Sequence, residues 1–429
     1  MALHEIYTAQ DLKDFRDLVN AGNYNLNAIL MNDIDLQGND LDQWEPIAIN
    51  SDVPFSGTFD GNGYTISGLY INRSTILDEY GEPDYDIDEL AFISHAAGAV
   101  IKNLILEGYI LGGWYGVAGF VGELRGGKII NCINRVVLTG PEWVHCIGGI
   151  VGWCGWGNPR NSEITNCTND ANIGIDIDGS GEFGGIIGFG NVCSITNCIN
   201  NGDVFGGEYA VAGIAGVYYS ANIINCVNNG DITGTDEDVS GIANYLNRDT
   251  GDTISNCVNT GTITGVDYVA GITDRIRGDA QIKNCVNEGT IVCFGDNYGA
   301  ITSELDISIT TYPQNNYYLD TSCDRACLDK NDNYSVVISI PDSITSYTEN
   351  NAPTVASMIE DFKINKKIIT PKIYPDINTD ITSVTFSNWS VSGTINANIE
   401  NDTVVLLPPI GGNILPPTVP KKEIIIDKL

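Results

Sequence analysis

Six cysteines, Cys132, Cys167, Cys198, Cys226, Cys257 and Cys285, follow one another at steps of 35, 31, 28, 31 and 28 residues. Leu104 and Leu69 hold the same place further back, 28 and then 35 residues upstream. A second column keeps step with the first: Phe92, Phe120, Ile150, Ile186, Ile214, Ile242, Ile272 and Ile301. Two columns in phase through about eight units restrict the chain to a repeat architecture, in which each unit buries its apolar face only against its neighbours.

The units are too short for helix pairs. Ile, Val, Thr and Tyr run four to six long between Asn-Gly, Thr-Gly and Gly-Gly breaks, and helix-period patterning is absent between residues 90 and 310. The expected fold is all-β: a parallel β-helix or solenoid of about eight coils, with about three short strands per coil. At a rung spacing of ~4.8 Å such a stack is roughly 40 Å long.

The columns also predict what faces inward. Three residues before each cysteine stand Ile129, Ile164, Ile195, Ile223, Ile254 and Ile282; six after it come Leu138, Ile173, Val204, Ile232, Ile263 and Ile291. Val211 and Ile214 lie three apart, as do Val269 and Ile272, so Gly213 and Gly271 must bend the strand between two inward residues. The Asn before each cysteine, at 131, 166, 197, 225, 256 and 284, suits a corner and can bond from coil to coil. The cysteines read as small buried hydrophobes with free thiols. Alternatives are disulfides, for which parallel Cβ vectors give poor geometry, and a metal or redox array, although zinc would want paired CxxC spacing. Cys323 and Cys327, in DTSCDRAC, stand outside the repeat and suit a disulfide in an oxidising compartment.

The strand cores GFVG (119–122), GGIVG (148–152), GGIIG (184–188) and AGIAG (212–216) resemble the GLUG motif. IYTAQDLKDF, NDIDL and FSGTFDGNGYTISGL resemble the start of that family, and NNYYLD (315–320) its usual close, so the resemblance spans residues 6 to about 320. SGIAN (240–244), AGITD (270–274) and GAITS (299–303) depart from it by losing the final glycine. The resemblance implies a solenoid displayed at a bacterial cell surface, as in adhesin-like proteins and the non-catalytic regions of immunoglobulin-A-cleaving peptidases. It carries over no active-site residues.

Five regions are expected: a cap and first coil over 1–75, repeats over 76–310, a closing coil and linker over 311–345, a small β domain over 346–410, and a Pro-rich linker with a terminal strand over 411–429. The cap is a helix over 8–21, with Leu12, Phe15 and Leu18-Val19 on its apolar face, Thr8 as N-cap, Asp11 in a capping-box position and Gly22 as stop. The stretch 382–409 alternates apolar and polar residues around a Gly turn.

The 55 acidic against 21 basic residues set a formal charge of −34, which repels nucleic acid and anionic lipid and favours cations or neutral partners. No apolar run approaches the ~18 residues of a bilayer span. The N-terminus shows no secretory signal, so a surface location requires either a leader replaced by Met1-Ala2 or another export route.

His4, His95 and His145 are too few and too scattered for a catalytic or metal cluster, and His145 beside Cys146 is adjacency in sequence only. The candidate ligand-binding edge consists of acid–aromatic pairs ahead of the glycine strand: Glu142-Trp143, Glu208-Tyr209 and Asp267-Tyr268. Trp114-Tyr115 holds an equivalent place, with Trp153 and Trp156 in the following turn. Aromatic faces stack on sugar rings and carboxylates accept hydroxyl hydrogen bonds, although aromatic ladders also stack on each other for stability. No cofactor is expected; the acidic turns at 176–182, 234–241 and 329–333 suit at most weak calcium binding. The reading is a non-enzymatic surface or appendage scaffold, binding an extracellular glycan or a host or bacterial surface protein. The alternatives are a glycan-cleaving β-helix and a structural subunit that self-assembles through residues 421–429.

Overall fold

The computed structural model describes residues 3–305 except 74–88, 141–143, 156–160, 175–180, 208, 220–221, 246–251 and 278–279. Beyond 305 it describes 313, 316–319, 322–323, 344–347, 383–386, 389–392, 397–400 and 403–406.

Residues 3–347 contribute strands to three sheets, two of sixteen strands and one of seven, and all strand pairing within them is parallel. This is a parallel β-solenoid of about eight turns. One coil follows the third sheet at Val211–Ala212, the first at Ala215–Tyr219 and Asn222–Ile224, and the second at Val227–Asn228 and Ile232–Gly234, before Glu237–Ser240 starts the next. A coil thus carries five short strand segments rather than about three, because the first and second sheets are each interrupted.

The inward columns are fully buried from Phe92 to Ile301 and from Ile129 to Ile282. Ile291 is the exception, being only partly buried near the end of the stack. The strand breaks at Gly213 and Gly271, and the structure adds a second reason for these glycines. A Cβ on Gly213 would stand 2.3 Å from Cγ of Asn228, and one on Gly271 equally close to Asn287.

Two asparagine ladders run through the coils. The corner residues Asn131, Asn166, Asn197, Asn225, Asn256 and Asn284 have φ of 54–58°. Each donates Nδ2 back to the Oδ1 of the previous coil's residue at 2.9–3.2 Å, starting from Asn103. The second ladder, Asn134, Asn169, Asn200, Asn228, Asn259 and Asn287, lies in the dry interior. Its members donate forward at 2.7–2.8 Å and also satisfy the carbonyl two residues on. Only the first was expected. The cysteines between the ladders are buried free thiols bonded to the carbonyl two residues back, and burial pushes Cys132, Cys198 and Cys257 well up.

The cap helix is Ala9–Asn20, with the capping box between Thr8 and Asp11 in place. Leu12, Phe15 and Val19 face the core, whereas Leu18 faces solvent, because the apolar stripe of a short helix on a rod end covers only one side. Phe15 passes the core on through Phe59 to Phe92, on which Trp44 stacks at 5.4 Å. Towards the C-terminus, Ser383–Phe386 pairs with Trp389–Ser392 and Ala397–Glu400 with Thr403–Leu406. Both pairings are antiparallel.

Candidate functional site

The short third sheet meets the first at a tight corner, with Val117, Ile147, Val211, Val239 and Val269 of the third sheet in the same core as Val121, Val151 and Ile187 of the first. Backbones meet closely there: a Cβ on Gly152 would lie 2.5 Å from the carbonyl carbon of Gly116, and one on Gly188 2.6 Å from that of Cys146. The final glycine of GFVG, GGIVG and GGIIG therefore marks the inner seam of a corner between two sheets. Along this corner the pairing register lines up His95, Glu123, Trp153, Phe189 and Val217 on successive coils.

At the N-terminal end the corner holds a chain of charged groups. Nδ1 of His95 lies 3.1 Å from Glu123 and its Nε2 lies 3.5 Å from Glu89. Arg125 donates Nε to Glu123 at 2.5 Å, and Trp153 donates Nε1 to Glu89 at 3.3 Å. Burial pushes the Glu123 carboxyl up, but hydrogen bonds from His95 and Arg125 outweigh it and hold the group below the usual carboxylate range. Glu89, His95 and Glu123 bring ligand atoms within 4.8 Å of one another. They nevertheless fit a metal ion poorly: the two ring nitrogens face different carboxylates on opposite sides of the imidazole, and Arg125 already occupies Glu123. The arrangement is a hydrogen-bonded chain anchored by the Glu123–Arg125 ion pair.

Next to it, Tyr115 packs edge-on to Trp153 at 5.5 Å and beside His145 at 5.9 Å, while Trp114 packs edge-on to His145 at 5.5 Å. Cys146, at φ 54°, donates Sγ to Glu182 at 3.4 Å. Burial, then the Glu182 charge, push this thiol well up. Cys146, Trp153, Phe189, Ala210 and Val217 form an apolar cluster of their own, flanked by Tyr115, Tyr219 and Tyr245.

At the C-terminal end the final glycine gives way to Asn244, Asp274 and Ser303, and the seam becomes polar. Asn244 donates Nδ2 to the carbonyls of Val211 and Asp238 at 3.0 and 2.7 Å. Arg275 is paired with Asp238 and lies 3.6 Å from Asp274, with its guanidinium over Tyr268 at 4.1 Å and Tyr245 at 5.0 Å. Asp274 is fully buried, accepts Tyr245 N–H at 2.8 Å, and has no hydrogen-bond partner for Oδ2. Burial, then the Asp238 charge, push its carboxyl well up.

Among the described residues, the members of the expected aromatic edge do not fall into one stripe. Tyr115 lies in register with His145, and Asp267 with Glu237, while Tyr268 is turned onto Arg275 by a left-handed φ of 51°. Asp267 is taken by Asn297, and Trp153 is buried. Mutual packing thus accounts for Trp114, Tyr115, Trp153 and Tyr268. Tyr209 alone among the described aromatics of that set is well exposed, at 58 %. Glu142, Trp143, Trp156, Glu208 and Cys327, with the Cys323–Cys327 bridge, lie outside the described residues, as do the acidic turn at 329–333, most of that at 176–182, and residues 421–429. In the acidic turn at 234–241, Asp238 is engaged by Arg275. Sequence reasoning missed His95 with its two carboxylates and the Asp238–Asp274–Arg275 group. It also missed the exposed Phe294 and Val266, neighbours on adjacent coils through the bonds from Phe294 N to Gly265 O and from Gly295 N to Val266 O. The lost final glycines were the one available signal for the second group.

Fold and corner together define a capped parallel β-solenoid with a closed seam and a partly apolar flank. No protein family and no curated protein matches the chain. A solved structure similar to it is described as that of "a putative immunoglobulin A1 protease from Bacteroides ovatus"; the two share 17 % identity over 90 % of this chain and 91 % of the other, with a TM-score of 0.39.

Proposed function

We propose that the chain is a non-enzymatic scaffold, displayed on a cell surface or appendage, that binds an extracellular glycan in the manner of an adhesin. The resemblance of the strand cores to the GLUG motif supports that surface context. What carries the reading is the exposed apolar flank beside the third sheet: Tyr209, Val266 and Phe294, at 58, 39 and 76 % exposure, with the exposed carboxylate of Glu237 on the same sheet. Rings and carboxylates side by side suit the faces and hydroxyls of sugars. The charged groups of the corner support the same reading, since His95 and Arg275 are occupied by carboxylates of their own chain.

The test is a glycan array read with wild type and a Tyr209→Ala/Phe294→Ala double variant, beside a polysaccharide digestion assay. Binding by wild type that the variant loses supports the proposal. Array signal unchanged in the variant, or sugar products released from any polysaccharide, overturns it.

A further inference from the structure

The coils that lose the final glycine put a buried carboxylate where their neighbours have only backbone. Asp274 occupies the seam position of Gly152 and Gly188, with no exposure to solvent and one oxygen lacking a hydrogen bond. The groups around it are Asp238 and Arg275, with Glu237 3.9 Å from the same guanidinium. Tyr245 and Tyr268 lie against the arginine, Arg277 sits over Tyr245 at 5.9 Å, and Tyr219 is near enough to feel both Asp274 and Arg277. One guanidinium therefore faces two buried carboxylates. With both ionised, a net negative charge remains in a dry seam, which is costly unless a proton is taken up.

We propose that this seam is a proton-operated latch: the C-terminal coils close tightly with a proton held on the buried, half-bonded carboxyl of Asp274 and loosen when it leaves. The direction of the Asp274 shift agrees with the geometry. Because the folded value is raised, the stabilisation is complete below the ordinary aspartate value of about 3.9 and is lost as pH rises through the folded value. The loosening falls on the coils that the seam joins. The amides of Gly241, Ile242, Ala243, Ile272 and Thr273 bond across these coils, so they report it, while Gly185, Ile186 and Ile187 make the same bonds on the glycine-lined part.

Native-state hydrogen exchange on the whole chain between pH 5 and 8, corrected for intrinsic exchange, tests the latch. Protection at the first five amides should fall by about tenfold or more as pH rises, with the second set as the flat reference. Asp274→Asn should abolish the fall, and Asp274→Gly, which restores the motif glycine, should abolish it independently should the asparagine variant not fold. A flat profile in wild type overturns the proposal, as does a fall that persists in the glycine variant.

Discussion

Gly119 and Asn134 occupy one space: a Cβ on the glycine would stand 2.1 Å from the Oδ1 of the asparagine. The same pairing recurs at Gly149 with Asn169, Gly185 with Asn200, Gly213 with Asn228, Gly241 with Asn259 and Gly271 with Asn287. The glycine just before the inward residue of each strand core and the second asparagine of each NCxN thus form one device, since an interior amide ladder needs a wall without side chains.

Gly213→Ala should destabilise the solenoid by about 1–3 kcal/mol through overpacking, measured by denaturant unfolding. Asn228→Ala should itself cost about 1–3 kcal/mol by stranding the buried amides of Asn200 and Asn259. If the contact is the cause, the double variant costs less than the sum of the two; strict additivity would disprove it.

At the corner, backbone conformation and ladder bonding separate. Asn197 has φ 56° and donates to Asn166 while accepting from Asn225. Asn197→Gly loses only the ladder, whereas Asn197→Ala also forces a left-handed alanine, about 1 kcal/mol worse. Thermal melts that rank alanine equal to or above glycine would contradict this.

The Glu123 carboxyl is held low by His95 and Arg125, so its contribution is present above the unfolded value of about 4.3 and is lost as pH falls through the lower folded value. Glu123→Gln should cost about 1–3 kcal/mol at pH 7, because it removes the carboxylate charge and replaces one acceptor oxygen with an amide NH2 facing Arg125 or His95. The gap between the two proteins should narrow below about pH 4. Denaturant midpoints across pH 3–7 check it, and a constant gap would be the wrong sign.

Buried thiols in the repeat column should be inert. In native buffer a thiol reagent should leave Cys132, Cys167, Cys198, Cys226, Cys257 and Cys285 unmodified by mass mapping, and label all six in denaturant. Rapid native labelling at any of them would show that the column is open.

The amino-acid sequence by itself determined the repeat, the inward aliphatic columns, the corner asparagines and the capped start, because each is a local period repeated many times and read from spacing alone. His95, Glu123 and Trp153 are 28 and 30 residues apart in sequence and adjacent only because successive coils stack in register. Likewise, Asp274 reads as one more acidic residue among 55 until the seam encloses it beside Asp238 and Arg275. Exposure was equally hidden: Trp153 and Tyr209 look alike in the chain, and only the packing of Tyr115 and Gly116 from a neighbouring coil buries one ring while the other stays in water. Which side chains a solenoid shares between its sheets is set by how those sheets meet, through many small backbone contacts that no single residue announces.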